Sequence, residues 1–513
     1  MDRRNLRLLY LLALIRLVLP YLLQHPYYQP HRDEFLYLAE GHHLAWGYLE
    51  VPPLLSLFAW LTNLLGGGMF WIKLWPDLFG SLTFLLAGRT ILVLGGGRFA
   101  LLLGWLPFVL DGYLRLFFLF QPNFLDVFFW TAMAYCLVCY VRSGSASWIY
   151  GFGLALGLGM MSKYSVAFYG ISLLAGLLLT RERSVFGTRT IYLAGLIALL
   201  VFLPNLIWQY NHRFPVIHHM SELQQEQLQY NDATGFLVSQ LVMNLPCVFI
   251  WISGLLWVWL GREGRPYRFL GWSYLLVIAL LIALRGKDYY ALGVYPMLFA
   301  FGAWRIEQAT RQGRRWLRYA LLVFAVGLGL FGMPLTMPVL RPQGLIRYYQ
   351  ATGLDHTGGF KWEDQQYHPL PQDFADMIGW REMARKAGAV YRSLPDSERR
   401  KTLVFCRGYF TAGALNYYRE EAGLPEVYSD NASFLLWLPD SIGVRNLLLV
   451  AHQPADPEDP AFRHFARYTV RDSVAMPLFR EHGMKFILYE KADDSSAGVF
   501  HQAVRTLKSR YSR

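Results

Sequence analysis

Two adjacent carboxylates, Asp33 and Glu34, follow the first apolar run of the chain at residues 6–23. Ionisable groups beside hydrocarbon are costly unless they are solvated, paired or used in a reaction. A carboxylate in such a place can act as a general base on a hydroxyl group. The simpler alternative is a helix start, where acidic residues are favourable in the first turn. We predict that this pair contributes a catalytic group.

Other ionisable and polar residues occur in loops that we predict to share the membrane side of this pair. Asp126 supplies a third carboxylate, and the cations Lys163, Arg285 and Lys287 can neutralise a phosphate leaving group. The alternatives are an interfacial charge for Asp126 and cationic side chains that reach water from a helix end for Arg285 and Lys287. A pathway for intramembrane ions would use similar residues.

Composition excludes a soluble enzyme of this size, because 54% of the 513 residues are hydrophobic and only 16% are charged. The net charge of +12 would suit a nucleic-acid-binding protein, but the basic residues lie in short loops between apolar runs, as topology determinants do. We therefore expect no nucleic-acid partner. Cys136 and Cys139 lie within an apolar run without further zinc ligands nearby, so we expect no zinc site there.

About eleven apolar runs predict a mainly α-helical, polytopic membrane bundle. They lie at residues 6–23, 70–94, 98–119, 124–142, 147–161, 164–180, 190–208, 235–260, 268–284, 289–304 and 316–336. Arginine and lysine are frequent in every second loop and sparse in the others. The positive-inside rule therefore puts the N-terminus in the cytoplasm and the C-terminus outside, in a multi-pass protein of the inner (plasma) membrane.

The first external loop, residues 24–69, is predicted to carry two helices at the membrane interface. Residues 33–46 have the pattern of an amphipathic helix that begins with the acidic pair. Pro52 and Pro53 end it, and residues 54–65 form an apolar helix that is too short to span a bilayer.

The polar residues 337–513 predict a soluble α/β domain on the periplasmic or extracytoplasmic side, following a transmembrane domain of residues 1–336. The expected strands are 402–406, 445–450 and 485–489, and the expected helices are 373–393 and 410–421. This part of the chain shows no catalytic motif, so we place the chemistry in the membrane domain.

Several short motifs follow one another in a fixed order. They are Asp33-Glu34, Gly41-His42-His43-Leu44-Ala45-Trp46-Gly47-Tyr48, Pro52-Pro53-Leu54, Pro122-Asn123-Phe124-Leu125-Asp126, Ser162-Lys163-Tyr164-Ser165, Leu203-Pro204-Asn205-Leu206-Ile207-Trp208-Gln209, Gly286-Lys287-Asp288-Tyr289-Tyr290, Tyr295-Pro296-Met297 and residues 370–380. In this order they resemble the bacterial protein-mannosyltransferase-like glycosyltransferases. That group belongs, with the lipid A aminoarabinose transferases, to the membrane GT-C superfamily.

The resemblance implies transfer of a sugar from a polyprenyl-phosphate donor to a lipid, glycan or protein hydroxyl on the outer face of the membrane. It implies that Asp33 is the general base, that Glu34 shapes the pocket, and that Asp126 contacts the acceptor or a bound cation. The residues that it implies for binding the donor are Lys163, Arg285 and Lys287 at the phosphate, and Tyr164, Tyr289, Asn205 and Gln209 around the lipid or sugar.

One stretch departs from the family pattern, because Arg407-Gly408-Tyr409-Phe410-Thr411 stands where an Asn-Tyr-Gly-Glu-like stretch is expected. The sequence leaves open which sugar is transferred, which acceptor receives it, and whether the acids bind a divalent metal ion. The alternative function is a transporter or flippase of a lipid-linked sugar, although the chain lacks the repeated halves with broken helices that transporters often have.

Overall fold

The computed structural model describes residues 2–226, 228–440, 443–456, 458–459 and 462–511. Its first two-thirds is helical, because a helix satisfies its backbone hydrogen bonds without water. The helices of this part are α1 (Arg3–Leu23), α2 (Arg32–Glu40), α3 (Leu54–Leu64), α4 (Met69–Val93), α5 (Arg98–Trp105), α6 (Pro107–Leu110), α7 (Tyr113–Leu116), α8 (Asn123–Ser143), α9 (Ala146–Met160), α10 (Val166–Leu178), α11 (Arg189–Asn211), α12 (Pro215–Glu226), α13 (Ala233–Val242), α14 (Val248–Leu260), α15 (Arg268–Ala283), α16 (Tyr295–Ala309) and α17 (Arg315–Thr336).

The protein is a multi-pass membrane protein. Within the described ranges, six helical segments are long and apolar enough to cross a membrane: α1, α4, α8, α11, Arg265–Ala283 and α17. A seventh span results if α13 and the segment Leu245–Leu260, which meet at a bend of 68°, are counted together.

The prediction of about eleven spans, with 147–161 and 164–180 as two short helices, is supported as a multi-span helical bundle, and six or seven of the described segments are long and apolar enough to be full-length spans. Run 98–119 is divided into α5, α6 and α7, and run 289–304 begins as the 3-10 segment Asp288–Val294 before α16. The helices α9 and α10 have only 15 and 13 residues. At about 1.5 Å per residue, both are shorter than a hydrocarbon layer of roughly 30 Å.

The first loop contains the two expected helices, but the first of them is shorter than predicted. Helix α2 ends at Glu40 instead of residue 46. At Gly41 a Cβ atom would lie 2.6 Å from the backbone carbonyl carbon of Ala59, so the chain turns where it touches α3. The prediction of α3 is confirmed at Leu54–Leu64.

The C-terminal region is a mixed β-sheet with surrounding helices, as predicted. Its strands β1 (Thr402–Cys406), β2 (Val427–Ser429), β3 (Asn446–Ala451), β4 (Phe465–Ser473) and β5 (Lys485–Ala492) form a sheet in the order β2-β1-β3-β5-β4. Strand β1 is parallel to β2 and β3, and β5 is antiparallel to β3 and β4. The helices are α18 (Pro342–Thr352), α19 (Gln372–Ala375), α20 (Trp380–Arg392), α21 (Asp396–Arg399), α22 (Tyr409–Tyr417), α23 (Arg419–Ala422), α24 (Phe434–Trp437) and α25 (Ser496–Ser509).

The three predicted strands are present, whereas β2 and β4 are missed. Strand β2 has only three residues, and β4 is a mostly exposed edge strand that lacks a buried apolar run. The predicted helix 373–393 is divided into α19 and α20, because Gly379 adopts a left-handed conformation with φ of 88°.

Helix α2 packs directly against the C-terminal region. Phe35 is 1% exposed, and its ring centroid lies 5.7 Å from that of Trp380 and 5.5 Å from that of Tyr417. A Cβ atom at Gly413 of α22 would lie only 2.9 Å from the Cβ of Phe35, so the two helices meet closely. One hydrophobic core therefore joins the first loop to the C-terminal sheet.

Candidate functional site

The start of α2 is fixed by a capping box that uses His31 and Glu34. The Nδ1 atom of His31 accepts a hydrogen bond from the Asp33 backbone N–H at 3.2 Å, and Glu34 accepts one from the His31 backbone N–H at 2.8 Å. The other oxygen of Glu34 accepts from Lys73 Nζ at 2.5 Å and from the Phe120 backbone N–H at 2.6 Å. Glu34 is fully buried, so its carboxylate anchors α2 to α4.

Replacing Lys73 by Met is expected to destabilise the protein. The change leaves Glu34 buried without its cation, and breaking a buried ion pair in this way costs about 3–5 kcal/mol. Thermal unfolding in detergent should show a lower midpoint than for the wild type. The control is Arg311→Met, which removes an ion pair whose arginine is 54% exposed, and it should leave the midpoint nearly unchanged. Equal midpoints for the two variants would contradict this role of Lys73.

Asp33 is held by groups from three parts of the chain. Its Oδ1 accepts a hydrogen bond from the Tyr409 hydroxyl at 2.8 Å and lies 3.4 Å from Nε of Arg32, and its Oδ2 accepts from the Gln121 amide at 3.2 Å. Burial raises the pKa of Asp33, but the charges of His31 and Arg32 and the tyrosine hydrogen bond outweigh it and hold the pKa below its ordinary value. The carboxylate is 30% exposed and ionised at neutral pH, so it can accept a proton.

Lys163 lies between α9 and α10, among polar and aromatic groups. Its Nζ donates to Asn123 Oδ1 at 2.7 Å and lies 3.9 Å from Asp126 Oδ2. The same atom is 4.1 Å from the centre of the Tyr290 ring and 5.8 Å from that of Tyr289. Burial lowers the pKa of Lys163 to about 8 against the opposing effect of the Asp126 carboxylate, so the amine is still mostly protonated at neutral pH.

A chain of hydrogen bonds joins the Asp33 carboxylate to the Lys163 ammonium. Gln121 donates to Asp33 through its amide nitrogen and accepts through its amide oxygen from Asn123 at 3.1 Å. Asn123 in turn accepts from Lys163, which is paired with Asp126. Asp33, Asp126 and Lys163 of the predicted residues therefore lie in one site.

The two predicted cations after α15 have different environments. The charge of Lys287 is close enough to Asp33 to contribute to the lowered pKa of that carboxyl, after the larger effects of burial, of the cations beside it and of its tyrosine partner. Arg285 is exposed and donates to the backbone carbonyl of Gln229 at 2.9 Å. The structure thus brings Lys287 to the site and pairs Arg285 with the connection between α12 and α13.

Tyr164, Asn205 and Gln209 form a second polar cluster beside Lys163. The Tyr164 hydroxyl donates to Asn205 Oδ1 at 3.0 Å and accepts from Gln209 Nε2 at 2.8 Å. Asn205 also donates to the backbone carbonyl of Trp46 at 2.8 Å. These bonds connect α11 to the first loop and to the segment that carries the lysine.

The sequence alone predicts no role for Lys73, Gln121, Asn123 or Tyr409. Gln121 and Asn123 shortly precede Asp126 in the chain, and this position indicates that they lie near the same site. Lys73 lies within the apolar run 70–94, and a lysine in such a place requires a buried partner. Tyr409 lies in the stretch that departs from the family pattern, but nothing in the sequence connects it to Asp33, which is 376 residues away.

One group of side chains has the composition of a metal site. Single ligand atoms of His31, Asp373 and Asp376 lie within 4.8 Å of one another. The Nδ1 atom of His31 is occupied as an acceptor for the Asp33 backbone N–H and the Gln121 amide, so the ring proton remains on Nε2, the atom that faces the two carboxylates. Asp373 is paired with Arg115 and Asp376 with Arg480, so both carboxylates already have cationic partners, and we assign this group no metal ion.

An apolar groove opens between α9, α10 and α11. It has a volume of about 230 Å³. Its lining includes Leu156, Met160, Ala167, Ile171, Leu199 and Phe202. The Phe202 ring packs edge-on against Tyr164, with 6.3 Å between ring centroids, so the groove reaches the segment that carries Lys163.

Comparison with known proteins identifies the class of enzyme. A family model described as dolichyl-phosphate-mannose-protein mannosyltransferase matches residues 50–208. The lipid A galacturonosyltransferase RgtD of Rhizobium johnstonii is 25% identical over 331 residues, which are 61% of this chain and 68% of that protein. The chain is a glycosyltransferase of the class that uses lipid-phosphate sugars. The resemblance to protein-mannosyltransferase-like glycosyltransferases, predicted from the motifs, is confirmed.

The fold of this glycosyltransferase is similar to that of solved ArnT structures. ArnT from Cupriavidus metallidurans bound to undecaprenyl phosphate matches with a TM-score of 0.58 at 14% identity, over 95% of this chain and 98% of that one. The apo form of the same protein matches with a TM-score of 0.59 at 14% identity, over 94% and 97% of the two chains. The glycosyltransferase therefore has an ArnT-like fold along nearly its whole length.

Proposed function

We propose that this glycosyltransferase transfers a sugar from a polyprenyl-phosphate donor to a hydroxyl group of an acceptor at the outer face of the inner membrane. The observation that carries the proposal is the hydrogen-bonded connection from the Asp33 carboxylate to the Lys163 ammonium. Through Gln121 and Asn123, it links a group that can accept a proton to a group that can stabilise a departing phosphate. The undecaprenyl phosphate named for the similar ArnT structure supports the choice of donor.

In the proposed reaction, the acceptor hydroxyl loses its proton to the Asp33 carboxylate. The acceptor oxygen then forms a bond to the anomeric carbon of the sugar, while the bond from that carbon to the phosphate oxygen breaks. The leaving group is the polyprenyl phosphate, whose added negative charge is stabilised by Lys163 and Lys287. Arg285 contributes only if its side chain leaves the carbonyl of Gln229. Inversion at the anomeric carbon is expected by analogy with the family.

The other predicted residues take supporting roles in this proposal. Asp126 orients Lys163, whose Nζ lies 3.9 Å from its carboxylate, and the Tyr289 ring lies 5.8 Å from the same nitrogen. The cluster of Tyr164, Asn205 and Gln209 lines the donor site between the lysine and the apolar groove. Since the ammonium group occupies the space beside Asp126, the reaction as proposed includes no step through a metal ion.

The apolar groove between α9, α10 and α11 is proposed to hold the part of the polyprenyl chain next to the phosphate. It has the required surface, because its lining is almost entirely apolar and lies within helices of the membrane domain. It also reaches Tyr164, so a lipid in the groove would present its phosphate to Lys163.

Ala167→Phe is expected to fill this groove. The KM for a donor with a long polyprenyl chain should rise by about tenfold, because apolar surface that the lipid would bury is lost. The kinetics with a water-soluble donor of one or two isoprene units should stay unchanged. Ala283→Phe, at an exposed position of α15, is the matched control. An equal effect on long and short donors would contradict the assignment of the groove.

The acceptor is proposed to be lipid A or a related envelope glycolipid. RgtD, the curated relative, is named a lipid A galacturonosyltransferase. The proposed topology, with a cytoplasmic N-terminus and residues 337–513 outside the membrane, places the site where such an acceptor is available. Mass spectrometry of envelope glycolipids from a deletion strain should show loss of one sugar. Unchanged glycolipids together with a changed protein glycan would contradict this acceptor.

A further inference from the structure

The stretch that departs from the family pattern, residues 407–411, contacts the Asp33 carboxylate. Tyr409 is the first residue of α22, and its hydroxyl donates to Asp33 Oδ1 at 2.8 Å. Arg32 connects the same two groups, because its Nε lies 3.4 Å from Asp33 Oδ1 and its Nη2 donates to the Tyr409 hydroxyl at 3.4 Å. The guanidinium of Arg32 also lies 4.8 Å from the centre of the Phe410 ring.

The direction of these hydrogen bonds follows from the number of available protons. A phenol has one proton, and an arginine can only donate. The bond from Arg32 therefore uses the Tyr409 oxygen as an acceptor and leaves its proton for Asp33. An arginine that donates to the phenol oxygen also strengthens the bond that the phenol donates.

The packing of α22 on α2 makes this contact a rigid one. Gly413, one helical turn after Tyr409, approaches Phe35 so closely that an added Cβ would lie 3.0 Å from the Phe35 backbone carbonyl. The Tyr409 backbone N–H also donates to the side chain of Asn431 at 3.2 Å. Hydrogen bonds thus fix Tyr409 at both ends, with its backbone N–H bonded to Asn431 and its hydroxyl bonded to residues of α2.

We propose that Tyr409, supplied by the C-terminal region, is a positioning residue for Asp33 and that the glycosyltransfer site is incomplete without that region. The hydroxyl fixes Oδ1 of the carboxylate, while Gln121 fixes Oδ2, so that the exposed side of Asp33 faces the acceptor. This inference rests on the proposed function, in which Asp33 is the general base.

The pH dependence of transfer reports on this contact. The titratable or charged groups that face Asp33 are His31, Arg32, Tyr37, Lys287, Tyr289, Asp376 and Tyr409. Burial raises the pKa of Asp33, but its cationic neighbours and the Tyr409 hydrogen bond lower it overall. Activity should therefore persist, as the pH falls, to below about 4, the ordinary value of an aspartic acid. Loss of the hydroxyl removes a stabilising bond from the ionised form, so the acid limb should move to higher pH.

The experiment compares Tyr409→Phe with Tyr417→Phe in the full-length enzyme, reconstituted with a polyprenyl-phosphate sugar. Tyr417 is a matched control, because it lies in the same helix, its ring packs on Phe35, and its hydroxyl donates to the Gly67 carbonyl at 2.9 Å instead of to Asp33. For Tyr409→Phe we expect kcat to fall about tenfold, as for the loss of a hydrogen bond to a charged group, with the KM for the donor unchanged and the acid limb raised. For Tyr417→Phe we expect no change in the acid limb.

Two results would overturn the inference. One is a Tyr409→Phe enzyme with the kcat and pH profile of the wild type. The other is an equal loss in both variants without a shift of the acid limb, which would show that the hydroxyl serves only the packing. If Asp33→Asn is inactive in the same assay, either result refutes the role of Tyr409 alone. If Asp33→Asn is fully active, the proposed function itself fails.

Discussion

Asp33→Asn should lower kcat for sugar transfer by about a thousandfold, the range that general-base catalysis typically supplies. Asparagine has nearly the size of aspartate, and its amide oxygen can still accept the hydrogen bond from Tyr409. It cannot take a proton from the acceptor hydroxyl, so binding is expected to survive while the chemical step is lost. The measurement is single-turnover transfer with a labelled polyprenyl-phosphate sugar in proteoliposomes.

The control for this variant is Asp364→Asn. Asp364 is an acid of the C-terminal region that is half exposed and lies 2.8 Å from His368 Nε2. Its loss should leave the rate unchanged, and both variants should elute from size-exclusion chromatography as the wild type does. A fully active Asp33→Asn enzyme would show that another group receives the proton.

Lys163→Ala should lower kcat by about a hundredfold or more, because the phosphate loses a preorganised positive charge as it departs. The amine is held by Asn123 at 2.7 Å and faces two tyrosine rings, so its position is fixed before the donor binds. The effect should be largest for donors with a poor leaving group. Single-turnover rates with a polyprenyl-phosphate and a polyprenyl-diphosphate sugar would measure it.

Removal of Lys163 also leaves Asp126 without its cation, so a structural effect must be separated from a catalytic one. Lys163→Arg keeps the charge and should fold normally, with a rate between those of the wild type and the alanine variant. Lys386→Ala, which removes a surface ion pair with Asp472, is the control for a lysine outside the site. Wild-type rates in a folded Lys163→Ala enzyme would contradict the assignment.

The sequence allowed the membrane class and the local loops to be predicted, because those depend on composition and short-range order. Asp33 and Lys163 stood out as charged groups next to apolar helices, and the structure brings both into one hydrogen-bonded network. The lengths of the spans could not be read in the same way. An apolar run of 22 residues such as 98–119 has the composition of a helix, but Pro107 begins a new helix within it.

The contacts between the two ends of the chain were beyond prediction from one sequence. Strand β4 is an exposed edge strand with charged residues, so it lacks the alternation that marks a half-buried strand. Phe35 looked like an interfacial residue of an amphipathic helix, whereas it packs against Trp380 in the core of the C-terminal region. Such pairings depend on tertiary contacts between segments hundreds of residues apart, and local periodicity carries no information about them.

The most direct test of the central claim measures both products of the proposed reaction in one assay. Purified protein in liposomes is given a polyprenyl-phosphate sugar labelled in the sugar, together with lipid A. The proposed function predicts a labelled covalent product and an equal amount of free polyprenyl phosphate, both absent with Asp33→Asn. Movement of intact donor from one leaflet to the other, without either product, would contradict the account and indicate a flippase.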